Sequence, residues 1–192
     1  MNAQMLQIRW HGRGGQGAKT AANLFAEAAI KSGQYAQASP EYGAERQGAP
    51  VKAYTRISQK PIREHDAVYH PNVVVVLDDS LLNSENPAQG LTSDGALLVN
   101  TKRSPSEIRN QLSLKNYQVF TTDATRIALN ETGRPIPNTV MMGALLKVDN
   151  TLSMDDIERC IRKKLGKKLG KELSESNVKA VQRAFQEVEE EK

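Results

Sequence analysis

The stretch IRWHGRGGQGAKTAANLFAEAA, residues 8–29, decides the fold of this chain. Its beginning predicts a short β-strand over residues 6–10, and a cluster of glycines follows directly. Ala18, Ala22 and Phe25 then recur at helical spacing, which predicts a helix that ends near residue 31. Glycines between a strand and a helix allow a tight turn, and the free N–H groups of the first helical turn attract an anion. The stretch therefore predicts a turn that suits a phosphate group.

Two nucleotide-binding motifs overlap in this turn, and neither is complete. The P-loop needs lysine directly after its second glycine, but Ala18 stands between Gly17 and Lys19. The glycine spacing fits the dinucleotide fingerprint, which also needs an acidic residue at the end of the second strand. Glu41 is the candidate there, and it lies beyond a proline. The residues alone leave open a bound phosphate, a dinucleotide, or a turn that only packs the helix against the sheet.

Strands alternate with helices along most of the remaining chain. Further strands are predicted at residues 35–39, 51–57, 72–77, 96–100 and 117–121. The alternation in 51–57 is typical of a half-exposed strand at or near a sheet edge. From residue 153 the pattern is helical only.

This pattern predicts an α/β fold. We expect a layered Rossmann-like domain over residues 1–150, with a parallel or mixed central sheet flanked by helices. Residues 151–192 are expected to form a C-terminal helical extension, or tail, of the same domain. The acidic end of the chain, residues 187–191, is expected to be a solvated helix terminus.

Composition argues against several classes of partner. The net charge of +4 is modest, and much of the positive charge lies in the run at residues 159–171. Aromatic residues make up only 5% of the chain and are absent from that run, so we expect no nucleic-acid binding. The run is most simply the solvent-exposed face of a helix, with docking of a partner as the alternative. No secretion signal or membrane-spanning segment is recognisable, so we expect a cytoplasmic protein.

Few side chains suggest chemistry of their own. Cys160 is the single cysteine, which excludes an internal disulfide and an all-cysteine metal site. We expect it to be a buried structural thiol. Asp78 and Asp79 follow a buried strand, and helix capping by Asp79 is favoured over a metal or acid–base pair. His11 borders the glycine turn and is expected to be a hydrogen-bonded structural histidine rather than a phosphate ligand.

A resemblance to a known family runs in order through residues 5–148. It is carried by four segments: GRGGQGAKTAANLFAEAA (12–29), ASPEYGAERQGAPVKAYTRIS (38–58), VVVVLDDSLL (73–82) and NTVMMGALLKV (138–148). Together they resemble the gamma subunit of 2-oxoacid:ferredoxin oxidoreductases, of the pyruvate synthase type. The pairing of GRGGQG with PEYGAERQGAPV is much more specific than either glycine motif alone.

The resemblance implies a part of an enzyme that is inactive alone. In this family a 2-oxoacid such as pyruvate is oxidatively decarboxylated with coenzyme A to acyl-CoA, carbon dioxide and reduced ferredoxin, or the reverse carboxylation is run. Thiamine diphosphate, Mg²⁺ and [4Fe-4S] clusters are then expected on alpha, beta and delta-type partner subunits. The single cysteine agrees with this, because a cluster normally needs four thiolates.

What the resemblance leaves for this chain is assembly and coenzyme A binding. The candidate coenzyme A residues are Gly12, Arg13, Gly14, Gly15, Gln16, Gly17, Lys19 and Thr20. A second loop, with Glu41, Tyr42, Glu45 and Arg46, either shapes the thiamine site of a neighbouring subunit or is internally paired at a subunit interface. We expect no catalytic residue and no metal ligand here. The alternatives are a stand-alone dinucleotide-binding oxidoreductase and a ligand-free assembly subunit.

Overall fold

The computed structural model describes residues 5–41 and 47–191, and a mixed β-sheet forms its centre. The strands are β1 (Leu6–Arg13), β2 (Tyr35–Pro40), β3 (Pro50–Ser58), β4 (Val73–Val76), β5 (Ala96–Asn100), β6 (Gln118–Thr122) and β7 (Glu189–Glu190). Their order across the sheet is β2-β3-β1-β4-β5-β6-β7. The middle strands β1, β4, β5 and β6 are parallel, and the outer strands pair antiparallel. The carboxyl ends of four strands therefore meet at one edge of the sheet.

Helices cover both faces of this sheet. They are α1 (Ala18–Lys31), α2 (Leu81–Ser84), α3 (Pro105–Leu112), α4 (Ala124–Thr132), α5 (Asn138–Val148), α6 (Met154–Leu169) and α7 (Lys171–Glu187). One apolar core joins the sheet to α1, α4, α5, α6 and α7, and a smaller one joins the other face to α2 and α3. The predicted layered Rossmann-like α/β fold is confirmed, with a mixed rather than an all-parallel sheet.

The C-terminal helices pack on the α/β core. Ile157 and Ile161 of α6 and Val178 and Val181 of α7 are buried in the same core as α1 and α5. The helices are separated at Gly170, whose φ of +88° favours glycine. After α7, Glu189 and Glu190 pair with β6 as an antiparallel edge strand. The expected helix terminus was therefore wrong for these residues, because the exposed edge of β6 offers hydrogen bonds to this segment, but Glu189 and Glu190 are exposed to solvent as expected.

The half-exposed character predicted for β3 was also wrong. Tyr54 and Arg56, expected on the wet face, are buried. The segment after β3 folds back over that face, and the Arg56 guanidinium donates to the Asp66 carbonyl (2.9 Å) and carboxylate (3.0 Å). Alternation in the sequence could not show this cover, because it comes from an irregular loop.

None of the helices within residues 5–41 and 47–191 has the length and apolar character needed to cross a membrane.

Candidate functional site

The glycine turn lies where the first strand of the sheet meets the first helix. β1 runs three residues further than expected, so Gly12 and Arg13 still pair with Val51 and Pro50 of β3. The turn proper is residues 14–17, and α1 begins at Ala18. β1 lies beside β4, and the turn therefore stands at the carboxyl edge of the parallel strands.

Gly17 is required by both its conformation and its surroundings. Its φ of +84° is left-handed, a region that L side chains rarely adopt. A Cβ there would approach the Asn138 side chain closer than 3.0 Å, at the start of α5. Gly12 is tighter than it looks in sequence, since its Cβ would lie 3.3 Å from both Ala18 and Leu77. These glycines allow β1, α1 and α5 to meet at one point.

Polar side chains fix the shape of the turn. The Gln16 side-chain oxygen accepts from the Arg13 backbone N–H (2.8 Å), and its amide nitrogen donates to Asp78 Oδ2 (2.6 Å). The Arg13 guanidinium donates to Ser80 Oγ (2.8 Å) and to the Gly48 carbonyl (3.0 Å). Its Nε lies 3.5 Å from the Asp78 carboxylate. The turn is therefore tied to the end of β4.

Of the two cations around the turn, Arg13 and Lys19, only Arg13 has a nearby carboxylate. Burial acts to raise the pKa of Asp78, but hydrogen bonds from Ser80 and Gln16 and the charge of Arg13 outweigh it, so the pKa lies below its ordinary value. Asp78 is thus a carboxylate that offsets part of the Arg13 charge. Lys19, on the first turn of α1, is exposed and has no ion pair among the described residues.

The start of α1 offers backbone donors to a ligand. The N–H groups of Ala18, Lys19 and Thr20 have no acceptor within the described part of the chain. Free N–H groups and the positive end of the helix dipole together favour an anion. This end of α1 combines three free donors with one exposed ammonium group.

The end of the second predicted motif, PEYGAERQGAPV, lies beside the glycine turn. Gly14 donates its N–H to the Ala49 carbonyl (2.9 Å), and Gly48 donates to the Gly14 carbonyl (3.1 Å). Two of the segments that carry the family resemblance, GRGGQG and PEYGAERQGAPV, are therefore hydrogen-bonded to each other. Tyr42, Glu45 and Arg46 lie outside the described residues.

Glu41 anchors the base of that loop. Its backbone N–H donates to the Lys52 carbonyl (3.0 Å), and its carboxylate accepts from the Tyr54 hydroxyl (2.5 Å). Burial, and then the Glu41 carboxylate, raise the pKa of Tyr54 above its ordinary value. The backbone N–H and the carboxylate of Glu41 are therefore both hydrogen-bonded within this chain.

A buried polar pair beneath the turn escaped the sequence analysis. Arg9 donates to the carbonyls of Pro87 (3.0 Å) and Val68 (3.3 Å), and its Nε donates to His11 Nε2 (3.0 Å). Burial, followed by the charges of Arg9 and Lys52, lowers the pKa of His11 to about 3. His11 is therefore a neutral structural histidine, as expected. No sequence signal marks Arg9, because an arginine within a strand ordinarily faces water.

The remaining chemical candidates are structural. Asp79 was expected to cap a helix, but it does not cap α2. Its carboxylate accepts from Thr101 Oγ1 (2.7 Å), while Asp78 accepts from the Ser80 N–H (3.0 Å). Cys160 is buried, as predicted, and burial raises the pKa of its thiol. Among the residues that the structure describes, no group of three or more His, Cys, Asp or Glu side chains could hold a metal ion.

The topology does not build a dinucleotide site. In such a site the strand after the first helix lies parallel in the sheet and carries the acidic residue for the ribose. Here β2 is an antiparallel edge strand, and β3 separates it from β1. The fold and its turn define an α/β domain with free backbone N–H groups at a helix start on the carboxyl edge, without the second half of a dinucleotide fold.

Comparison with known proteins agrees with the motifs. The family model described as pyruvate ferredoxin/flavodoxin oxidoreductase matches residues 7–187. The chain is 48% identical over 182 residues to "Pyruvate synthase subunit PorC" of Thermotoga maritima, covering 95% of this chain and 94% of the relative. It is 46% identical over 185 residues to "Pyruvate/ketoisovalerate oxidoreductases common subunit gamma" of Pyrococcus abyssi, covering 96% and 98%.

Solved structures show the same fold. The crystal structure of the pyruvate oxidoreductase subunit PORC from Thermotoga maritima superposes with a TM-score of 0.87 at 43% identity, covering 98% of this chain and 99% of that one. A 2-oxoglutarate:ferredoxin oxidoreductase from Magnetococcus marinus, solved with 2-oxoglutarate, coenzyme A and succinyl-CoA bound, matches with a TM-score of 0.75 at 20% identity. That match covers 94% of this chain and 30% of the longer one, and it shows a shared fold.

The chain belongs to the pyruvate ferredoxin/flavodoxin oxidoreductase family. It is an oxidoreductase subunit, and the predicted resemblance to gamma subunits is confirmed.

Proposed function

We propose that this chain is the gamma subunit of a complex that oxidatively decarboxylates pyruvate with coenzyme A and ferredoxin, or runs the reverse carboxylation. The Thermotoga maritima relative, named as a pyruvate synthase subunit, supports pyruvate as the substrate. The Pyrococcus abyssi relative is named as common to pyruvate and ketoisovalerate oxidoreductases. A gamma chain that is common to two such enzymes supports the view that other subunits select the 2-oxoacid.

The cofactors belong, in this proposal, to alpha, beta and delta-type subunits. Thiamine diphosphate with Mg²⁺ supplies the carbanion chemistry of the reaction, and [4Fe-4S] clusters remove electrons singly for ferredoxin. The single thiol of this chain is buried against the Leu24 carbonyl, whereas a cluster normally needs four thiolates. The residues of this chain are left to assemble the complex and to bind coenzyme A.

Coenzyme A binding is proposed for the start of α1. The observation that carries it is the coincidence of three free N–H groups with the exposed Lys19 at the carboxyl edge of the sheet. Coenzyme A presents a pyrophosphate and a 3′-phosphate, which suit such donors. The Magnetococcus marinus enzyme, which shares this fold, was solved with coenzyme A bound.

Arg13 has a double role in this proposal. Its contacts with Ser80, Gly48 and Asp78 hold the turn in shape. Because Asp78 offsets part of its charge, we expect Arg13 to contribute less to phosphate affinity than Lys19 does.

The test is a comparison of Lys19→Ala with Lys60→Ala in the reassembled complex. Lys60 is exposed and follows the end of β3 that lies away from the turn. Loss of one charge-assisted phosphate contact costs roughly 1.5–3 kcal/mol, so Lys19→Ala should raise the KM for coenzyme A about ten- to a hundredfold. Lys60→Ala should leave it unchanged. The half-reaction without coenzyme A should be equal in both variants.

Two results separate the alternatives. If Lys19→Ala assembles normally and leaves the coenzyme A kinetics unchanged, the turn only packs α1 against the sheet. The purified chain alone should fold and show no 2-oxoacid oxidation with a viologen acceptor. Turnover by the chain alone, or binding of NAD(P) by it, would favour a stand-alone oxidoreductase instead.

A further inference from the structure

The two edges of the central sheet differ in charge. At one edge lies β7, whose two residues are both exposed glutamates. At the other edge lies β2, YAQASP, which carries no charged side chain over its six residues. Charged side chains on an edge strand normally prevent another strand from pairing with it. The β2 edge lacks that protection, and within residues 5–41 and 47–191 it pairs only with β3.

The outward backbone groups of β2 follow from its pairing with β3. The Glu41 N–H donates to the Lys52 carbonyl (3.0 Å), so these two residues are a hydrogen-bonded pair. Bonded and non-bonded pairs alternate along an antiparallel ladder, and Ala36, Ala38 and Pro40 therefore direct their backbone groups away from β3. Proline suits such a position, because its nitrogen carries no hydrogen to donate. Ala36 and Ala38 thus offer two N–H and two carbonyl groups that have no partner within the described part of the chain.

The residues of β2 are complementary to a second copy of themselves about Gln37. In an antiparallel pairing of two β2 strands centred on Gln37, Ala36 of each copy lies opposite Ala38 of the other. Since both residues direct their backbone groups outward, each of the two pairs forms two backbone hydrogen bonds. On the face of the sheet away from α1, Tyr35, which is 50% exposed, lies opposite Ser39 of the second copy. A large side chain thus meets a small one on both sides of the axis.

The structure beside β2 leaves room for a second copy. Because α1 packs over both β2 and β3, one strand spacing at the junction separates the two α1 axes by about 10 Å, an ordinary distance for packed helices. On the other face, the Gln37 side chain donates to the Glu64 carbonyl and is held by its own copy. Arg63 and Glu64 are both exposed there and carry one charge of each sign, so this loop adds no net repulsion between copies.

We propose that β2 pairs with β2 of a second copy of this chain, in an antiparallel two-fold contact centred on Gln37. The sheets of the two copies then join into one continuous sheet. Six residues from each strand make a small interface, so the dimer is weak, with a Kd on the order of 100 µM. The contact uses no residue of the glycine turn and is therefore independent of the proposed coenzyme A site.

The experiment measures self-association of the full chain by sedimentation equilibrium. Between about 10 µM and 1 mM, the chain should pass from mostly monomer to mostly dimer. Amide hydrogen exchange, followed by NMR over the same range, locates the contact. The Ala36 and Ala38 N–H groups are bonded only in the dimer, so their exchange should slow as the concentration rises.

Gln37 faces itself across the two-fold axis, which permits a charge-swap test. Gln37→Lys and Gln37→Glu each place like charges opposite one another, so each should raise the Kd of the dimer at least tenfold. An equimolar mixture of the two variants should restore association to the strength of the parent chain or above it. Mixing does not repair a folding defect, so this recovery reports the contact itself. Gln118→Lys, at the exposed start of β6, should leave the Kd unchanged.

Three results would overturn the proposal. The first is a full chain that stays monomeric at the highest concentration, which would leave the β2 edge to a strand of a different subunit. The second is association of both Gln37 variants with the Kd of the parent chain, which would place the contact on another surface. The third is a mixture of the two variants that associates no better than either variant alone, which would exclude a two-fold axis at Gln37.

Discussion

At the residue scale, His11 shows how burial sets the charge of a side chain beside the proposed binding turn. It is 3% exposed, and its Nε2 accepts a hydrogen bond from Arg9. Burial and then the charges of Arg9 and Lys52 disfavour the imidazolium, so the pKa falls to about 3 from its ordinary 6.5. The folded chain therefore keeps His11 neutral at pH values where the unfolded chain has already protonated it.

The stability of the chain should consequently fall as the pH is lowered through 6.5. Because the unfolded state binds the proton first, His11 alone should cost about 2 kcal/mol of unfolding free energy between pH 8 and pH 5. Urea unfolding of His11→Gln supplies the comparison, since glutamine can still accept from Arg9 but does not titrate. The variant should lose clearly less stability over this range than the parent chain. Equal losses would show that His11 is not the group responsible.

The roles of individual residues were predictable only where neighbouring residues in the sequence indicate the local backbone structure. The glycines of the turn could be recognised, because a strand and a helix flank them closely in the chain. The bond from Gln16 to Asp78 joins residues far apart in sequence, as does that from Arg9 to Pro87. Such partners are set by the tertiary fold, and no local pattern encodes them.

At the element scale, Gly143 allows α5 and α7 to approach closely. A Cβ on Gly143 of α5 would overlap the backbone carbonyl of Val181 in α7. A backbone group cannot rotate away as a side chain can, so glycine here sets the distance between the two helices. Thr139 and Lys147, one turn to either side of Gly143, also contact α7: the Thr139 hydroxyl donates to Asn177 Oδ1 (2.8 Å), and the Lys147 ammonium lies 5.4 Å from the centre of the Phe185 ring.

Two glycine-to-alanine substitutions should therefore have opposite signs. Gly143→Ala should destabilise the chain by about 1–3 kcal/mol or more, since overlap with the Val181 carbonyl outweighs the gain in helix propensity. Gly166→Ala, within α6, should stabilise it by up to about 1 kcal/mol, because its Cβ would meet only Ser174 at an ordinary 3.7 Å. Urea unfolding of both variants measures the difference. A stable Gly143→Ala protein would mean that α5 and α7 can separate without cost.

Elements with strong local patterns were predictable, and those defined by long-range pairing were not. The apolar run of β4 and the helical spacing of α1 predicted their type and their approximate ends. β7 has only two residues, both glutamate, and forms because β6 lies beside it. The burial of the outer face of β3 likewise depends on a loop that packs on it from later in the chain.

At the scale of the whole molecule, the core is built from parts of the chain that are far apart in sequence. This explains why the packing partner of α6 and α7 was hard to predict. The helical pattern from residue 153 predicted an extension of the same domain, but the sequence could not indicate which part of the domain it covers. In the structure, Ile157, Cys160 and Ile161 of α6 and Val181 and Ala184 of α7 lie in one core with β1 and α1. The C-terminal helices α6 and α7 thus cover an apolar face formed by the N-terminal elements β1 and α1.

Truncation tests whether residues 151–192 belong to the same folding unit as residues 1–150. A chain of residues 1–150 would expose the faces of α1 and α5 that α6 and α7 cover, and we expect it to lose cooperative unfolding. A chain of residues 1–187 loses β7, the partly buried Val188 and the contact of Glu191 with Arg109, so it should stay folded with a small loss of stability. Circular dichroism melting of the two truncations and the full chain gives the comparison. If residues 1–150 melt as sharply and at the same temperature as the full chain, the C-terminal helices are a separable appendage, and their buried side chains contribute little to the core.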